Sequence, residues 1–156
     1  MKNRTIQNRV LCSVLLGVNL LVIWGNSLLP GSVSGEISGE LAAMLSEALD
    51  VFGGNGELLL RKAAHFSEFA CLGLLLGWLS ALLGQRGIHR FTLPLLFGML
   101  AAMTDETIQV FVPQRGPSVV DVWIDTAGVC VGIGLLILGQ TVFRRKSNNT
   151  LEDNET

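Results

Sequence analysis

Val119–Phe143 reads VVDVWIDTAGVCVGIGLLILGQTVF and stops against Arg144-Arg145-Lys146. An apolar run of this length crosses a bilayer as a helix, which takes about 20 residues. A continuous run, not an alternating one, makes a helix the expected form, because within lipid every backbone group needs an internal partner. Its acids, Asp121 and Asp125, both fall in the first two turns. Working back along the chain, Phe91–Val112, Arg61–Gly84 and Val10–Leu29 are runs of the same kind, the middle one apolar after its first two turns. Composition agrees: 49% of residues are hydrophobic and 15% charged, an apolar excess over ordinary soluble domains. A formal net charge of -2 gives no basic surface for nucleic acid. The expected fold is therefore an all-α membrane protein, a four-transmembrane-helix bundle forming one domain over residues 10–143. Residues 1–9 are the expected cytoplasmic N-terminus, and residues 144–156 a disordered cytoplasmic tail.

Lys2, Arg4 and Arg9 ahead of the first run resemble the start of a signal peptide, but the run is long and no small-x-small cleavage site follows it. It is expected to remain as a span. Orientation follows from the basic residues. With the N-terminus inside, the cytoplasmic segments hold Lys2, Arg4, Arg9, Arg86, Arg90, Arg144, Arg145 and Lys146, and the outer ones only Arg61, Lys62 and Arg115. Both termini are thus expected in the cytoplasm. In the long outer loop, Ile37, Leu41, Met44, Leu45, Ala48, Leu49 and Phe52 recur at helical spacing with Glu36, Glu40, Glu47 and Asp50 between them. This spacing predicts a short amphipathic outer helix between helices 1 and 2, either lying on the membrane or closing over the bundle.

The polar residues inside the spans are unevenly placed. His65 and Glu68 occupy the first turns of the second span, Asp105 and Glu106 the last turns of the third, and Asp121 and Asp125 the first turns of the fourth. All six therefore belong to the outer half of the membrane. Glu68, Asp105 and Asp125 sit roughly 10 Å below the outer boundary at about 1.5 Å per residue. Ionisable groups at such depth normally face a cavity or one another. Spacing supports a shared face for His65 with Glu68, Asp105 with Gln109, and Asp121 with Asp125. Asp105 and Glu106 point about 100° apart, so Glu106 is expected to meet a neighbouring helix.

Several separated stretches carry a family resemblance. Arg61-Lys62-Ala63-Ala64-His65-Phe66-Ser67-Glu68-Phe69, followed by Leu72-Gly73, resembles the first signature of VanZ-like membrane proteins. Asp105-Glu106-Thr107-Ile108-Gln109, then Phe111, Pro113 and Arg115, resembles the second, and Ser118, Asp121, Asp125 and Gly128 the third. Asn26-Ser27-Leu28-Leu29-Pro30-Gly31, with Ser34 and Ser38, is similar to the family's serine-bearing stretch after its first helix. The family often has Asn where this chain has Asp125, and an ionised Asp accepts hydrogen bonds without donating them. The resemblance implies a bacterial cell-membrane protein, in a family whose founding member is associated with reduced susceptibility to the glycopeptide teicoplanin.

The chemistry these residues allow is acid–base or ligand-binding. His65, Glu68, Asp105, Glu106 and Asp125 are the candidate catalytic groups, His65 and Glu68 as an acid–base pair and the others as bases, proton carriers or cation ligands. The plain alternative is interhelical hydrogen bonding that fixes the bundle. Lys62, Gln109, Arg115, Ser118 and Asp121 are the candidate ligand-binding groups. Arg115 would either clamp a phosphate or carboxylate or pair with Asp105, Glu106 or Asp121; Lys62 is suited to snorkelling; Ser118 is suited to capping the fourth helix. Cys12, Cys71 and Cys130 lack metal-ligand spacing and are expected as buried hydrophobes. With no HExxH either, no metal is expected, and the sequence leaves the question of a cofactor open. The expected partner is a membrane lipid or a lipid-linked cell-wall precursor, bound or modified at an outer polar pocket. The alternatives are a small proton- or cation-coupled transporter and a non-catalytic structural subunit.

Overall fold

The computed structural model of the chain describes residues 2–34, 36, 40 and 56–153. Four helices follow one another: α1 (Lys2–Ser27), α2 (Gly56–Leu82), α3 (His89–Val110) and α4 (Val119–Asp153). Each contains a stretch long and apolar enough to cross a membrane, Asn3–Ser27, Leu58–Leu82, His89–Val110 and Val119–Phe143. Helical structure outruns the apolar runs at both chain ends. α1 begins at Lys2, not Val10, because the polar opening contains neither Gly nor Pro to stop a helix. For the same reason α4 continues through Asp153, into residues 144–156, which were expected as a disordered tail: propagating an existing helix adds one bond per residue and avoids the cost of nucleation. Every apolar position of the predicted amphipathic helix, from Ile37 to Phe52, lies outside the described residues.

The outward faces are apolar. Val10, Val14, Val18 and Leu21 on α1 and Leu135, Leu138 and Phe143 on α4 are all exposed, a surface that suits lipid. Inside, Cys12, Ile23, Phe69, Leu72, Val129 and Ile133 make a buried apolar core. Cys71 departs from the expected burial; it faces outward from α2.

The most extensive helix pair is α2 with α4, and small residues allow it. A Cβ added to Gly128 would meet the carbonyl of Phe66, and one added to Gly132 would meet the carbonyl of Ala70 and the amide of Leu74. Two backbones approach this closely only through glycine, the small-xxx-small solution to packing in lipid. At one end of the bundle, Arg9 donates from Nε and Nη2 to the Leu82 carbonyl at 3.2 and 2.8 Å. A cation on the last carbonyl of α2 answers both its unpaired acceptor and the helix dipole. Carboxylates gather at the opposite end.

Candidate functional site

At that opposite end α1 and α3 finish while α2 and α4 begin, so four chain segments converge there. Asp105 is fully buried near the C-terminus of α3, and both of its oxygens are held. Ser27 Oγ, the last residue of α1, donates to Oδ1 at 2.7 Å, and Gln109 Nε2 donates to Oδ2 at 3.0 Å. The second bond is the i,i+4 pairing expected from the sequence. Gln109 also reaches Glu106 Oε1 at 3.4 Å and Ser27 Oγ at 3.3 Å. Glu106 turns toward the next helix as expected: its Oε2 accepts from the Ser118 backbone N–H at 2.8 Å. Ser118 itself occupies the N-cap of α4, its Oγ accepting from the Val120 N–H at 3.1 Å.

The predicted His65–Glu68 pair does not form. Glu68 Oε1 accepts from Asn26 Nδ2 on α1 at 2.7 Å, and His65 Nδ1 lies 3.8 Å from Asp105 Oδ2. Sharing a helix face aligns two side chains, but it does not decide which neighbouring helix each one meets. α1 brings an amide to Glu68, and α3 brings a carboxylate to His65.

Among the described residues, Arg115 forms no ion pair with Asp105, Glu106 or Asp121, the three carboxylates expected for it. Its Nε donates to the Leu29 carbonyl at 3.0 Å and its Nη2 to the Asn26 carbonyl at 2.6 Å. Carbonyls at a helix C-terminus lack intrahelical donors, and a guanidinium can serve two at once. Burial, and then the neighbouring Arg61, shift Arg115 below the ordinary arginine value, yet a guanidinium remains charged at physiological pH. Arg115→Ala is therefore expected to destabilise by about 1–3 kcal/mol, since hydrogen bonds from a charged donor are lost. Arg115→Lys will not restore the loss, because an ammonium lacks the planar fork. Thermal unfolding in detergent measures both. Lys62 is likewise engaged, its Nζ pairing with Asp121 Oδ1. Among the described residues, Arg61 has no hydrogen-bond or ion-pair partner, which leaves it the one uncommitted cation beside the cluster.

Asp125 completes the cluster from α4. It is 1% exposed, and neither Oδ1 nor Oδ2 has a hydrogen-bond partner. Buried polar groups are normally satisfied, so an orphaned carboxyl calls for an explanation. His65, Asp105 and Asp125 each offer a ligand atom, and these atoms lie within 4.8 Å of one another. Beside them is a cavity of about 30 Å³, lined by Arg61, Lys62, His65, Glu106, Arg115 and Asp125 among others. Holding one water takes about 10–15 Å³ on this measure, so the cavity suits an ion, a water or two, or the tip of a polar group. It has no space for a lipid chain.

The structure thus joins His65, Asp105, Asp125, Glu106 and Gln109 directly, with Lys62, Asp121 and Arg115 around the opening and Glu68 one hydrogen bond away toward α1. Asn26, Ser27 and Arg61 were not among the predicted site residues. The signal for the first two was available, because Asn26-Ser27 is a polar pair ending the first apolar run at the level where the acids begin.

A family model described as VanZ/LLP1 matches residues 7–142 of the chain. No curated protein and no solved structure matches it.

Proposed function

Since the chain belongs to the VanZ/LLP1 family, whose members it resembles in every segment that builds the polar cluster, we propose that it is a bacterial cell-membrane protein whose pocket lies beneath the outer surface and binds the anionic head group of a membrane lipid or lipid-linked cell-wall precursor. The orientation rests on the positive-inside rule: eight of the eleven Lys and Arg residues lie in the first turns of α1, in or just after the α2–α3 turn, and beyond Phe143 in α4. One observation carries the ligand class. Arg61 lines a small polar cavity at the bundle's end with its guanidinium unengaged among the described residues, while Lys62 and Arg115 are held by the protein. An open guanidinium at a membrane surface is suited to bidentate contact with a phosphate or carboxylate. The cavity's size means that only the polar tip enters, with the acyl chains remaining in lipid. The reading linked to glycopeptide action follows from the same ligand class: a protein that engages a lipid-linked precursor would alter teicoplanin susceptibility.

Mass spectrometry of the purified protein with its bound lipids tests this directly. Wild-type protein is expected to retain an anionic lipid, and Arg61→Ala to bind it about tenfold or more weakly and so retain less of it, as removal of one charge-assisted contact implies. Folding is expected to be unaffected, since Arg61 holds nothing in place among the described residues. Equal lipid retention by both proteins would remove the basis for the proposal. The structural-subunit alternative draws on the hydrogen-bond chain from Ser27 through Asp105 and Gln109 to Glu106, and it predicts that same equality. Ion flux in liposomes would instead favour the transporter.

A further inference from the structure

We propose that His65, Asp105 and Asp125 form a three-ligand site for a divalent transition-metal cation of the zinc class. This goes beyond the head-group reading and does not depend on it; it also departs from the expectation, drawn from sequence motifs, that no metal is bound. The three side chains come from α2, α3 and α4, so no local spacing pattern announces them. Their ligand atoms lie within 4.8 Å of one another, and His65 Nδ1 and Asp105 Oδ2 are already 3.8 Å apart. Two ligands at about 2.0–2.2 Å from one zinc ion are separated by at most about 4 Å, so closing the set takes movements of about 1 Å or less.

Asp125 supplies the independent observation. Both of its oxygens are buried without a hydrogen bond. Of the cations that line the cavity with it, Lys62 pairs with Asp121 and Arg115 with two carbonyls at the end of α1, while Arg61 makes no hydrogen bond to Asp125. A divalent cation would supply the missing partner and balance the two carboxylates, with His65 neutral. Asp105, by contrast, has the support expected of a metal ligand. Ser27 and Gln109 each donate to one of its oxygens, the kind of outer partner that orients a coordinating carboxylate. An imidazole nitrogen with two carboxylate oxygens suits zinc and its first-row neighbours better than magnesium or calcium, which favour all-oxygen sets. With three protein ligands, one coordination position remains. Asp125 and His65 both border the cavity of about 30 Å³, which has space for a water in that position.

The test uses the full chain without a histidine tag, purified in detergent, stripped with EDTA, and dialysed against zinc. Bound metal is counted by elemental mass spectrometry. The wild-type protein is expected to bind one zinc ion per chain, and cobalt in its place to give the visible spectrum of nitrogen–oxygen ligation, abolished by zinc. Asp125→Asn and His65→Gln, near-isosteric changes whose folding is checked by circular dichroism, should each weaken binding by well over the roughly 100-fold that marks loss of an outer partner. Ser27→Ala should weaken it by about 10–100-fold with the stoichiometry unchanged. His89→Gln changes the other histidine, which is exposed at the far end of the bundle, and should have no effect. Wild-type protein with no stoichiometric zinc and no cobalt spectrum would overturn the proposal whatever the variants do. So would binding that survives in both Asp125→Asn and His65→Gln, which would place the ion elsewhere.

Discussion

Asp125→Ala is expected to raise the melting temperature of the metal-free protein, by roughly 2–12 °C in EDTA. In the wild-type chain both carboxyl oxygens are buried and unpartnered, and leaving one buried polar group unsatisfied costs about 1–3 kcal/mol, more if it is charged. Alanine keeps Cβ and removes only the carboxyl, so little apolar contact is lost in exchange. For a chain of this size each kcal/mol moves the midpoint by roughly 2–4 °C, which gives the stated range. The order should reverse in zinc. An ion bound to the folded state alone stabilises it by about 2.7 kcal/mol at a hundred times its dissociation constant, and Asp125→Ala has lost that site. A crossing of the two melting temperatures between EDTA and zinc would mark Asp125 as a residue kept for function at a cost in stability. Melting below wild type in EDTA would mean instead that Asp125 helps to hold the bundle together.

That contrast explains what could be read from the chain and what could not. The spans were legible because lipid imposes a length and an apolar composition on each of them, and Val119–Phe143 satisfies both without ambiguity. The common level of Glu68, Asp105 and Asp125 was legible too, since antiparallel helices of known rise fix depth by counting. Partner choice was not. His65 and Glu68 share a face of α2, yet one meets α3 and the other α1, because rotation and helix neighbours are set by packing that no single helix encodes. Arg115 was read through its charge, so carboxylates were its expected partners. The Asn26 and Leu29 carbonyls at the end of α1 came within its reach only once the α3–α4 turn lay beside them, a placement that the Gly31 N–H to Pro113 carbonyl bond at 3.1 Å helps to fix.

Packing also determines the second large effect. Gly132→Ala is expected to destabilise the bundle by about 1–3 kcal/mol or more, the range for overfilling a close contact, whereas Gly134→Ala, two positions along the same helix, should be neutral or gain up to about 1 kcal/mol from helix propensity. A Cβ at Gly132 would run into the Ala70 carbonyl and the Leu74 amide, while one at Gly134 meets nothing within 4 Å. Backbone cannot rotate out of the way as a side chain can, so at Gly132 the helices must separate. In lipid that separation has no hydrophobic compensation, because association there depends on contact itself. The consequence reaches the polar end. His65 lies on α2 and Asp125 on α4, and Gly128 and Gly132 set the distance between those helices. Gly132→Ala should therefore weaken zinc binding as well as stability, although the residue touches no ligand, and Gly134→Ala should leave binding intact. Parallel melting curves and zinc titrations of the two variants measure this, and equal behaviour of the pair would show that the α2–α4 approach does not govern the site.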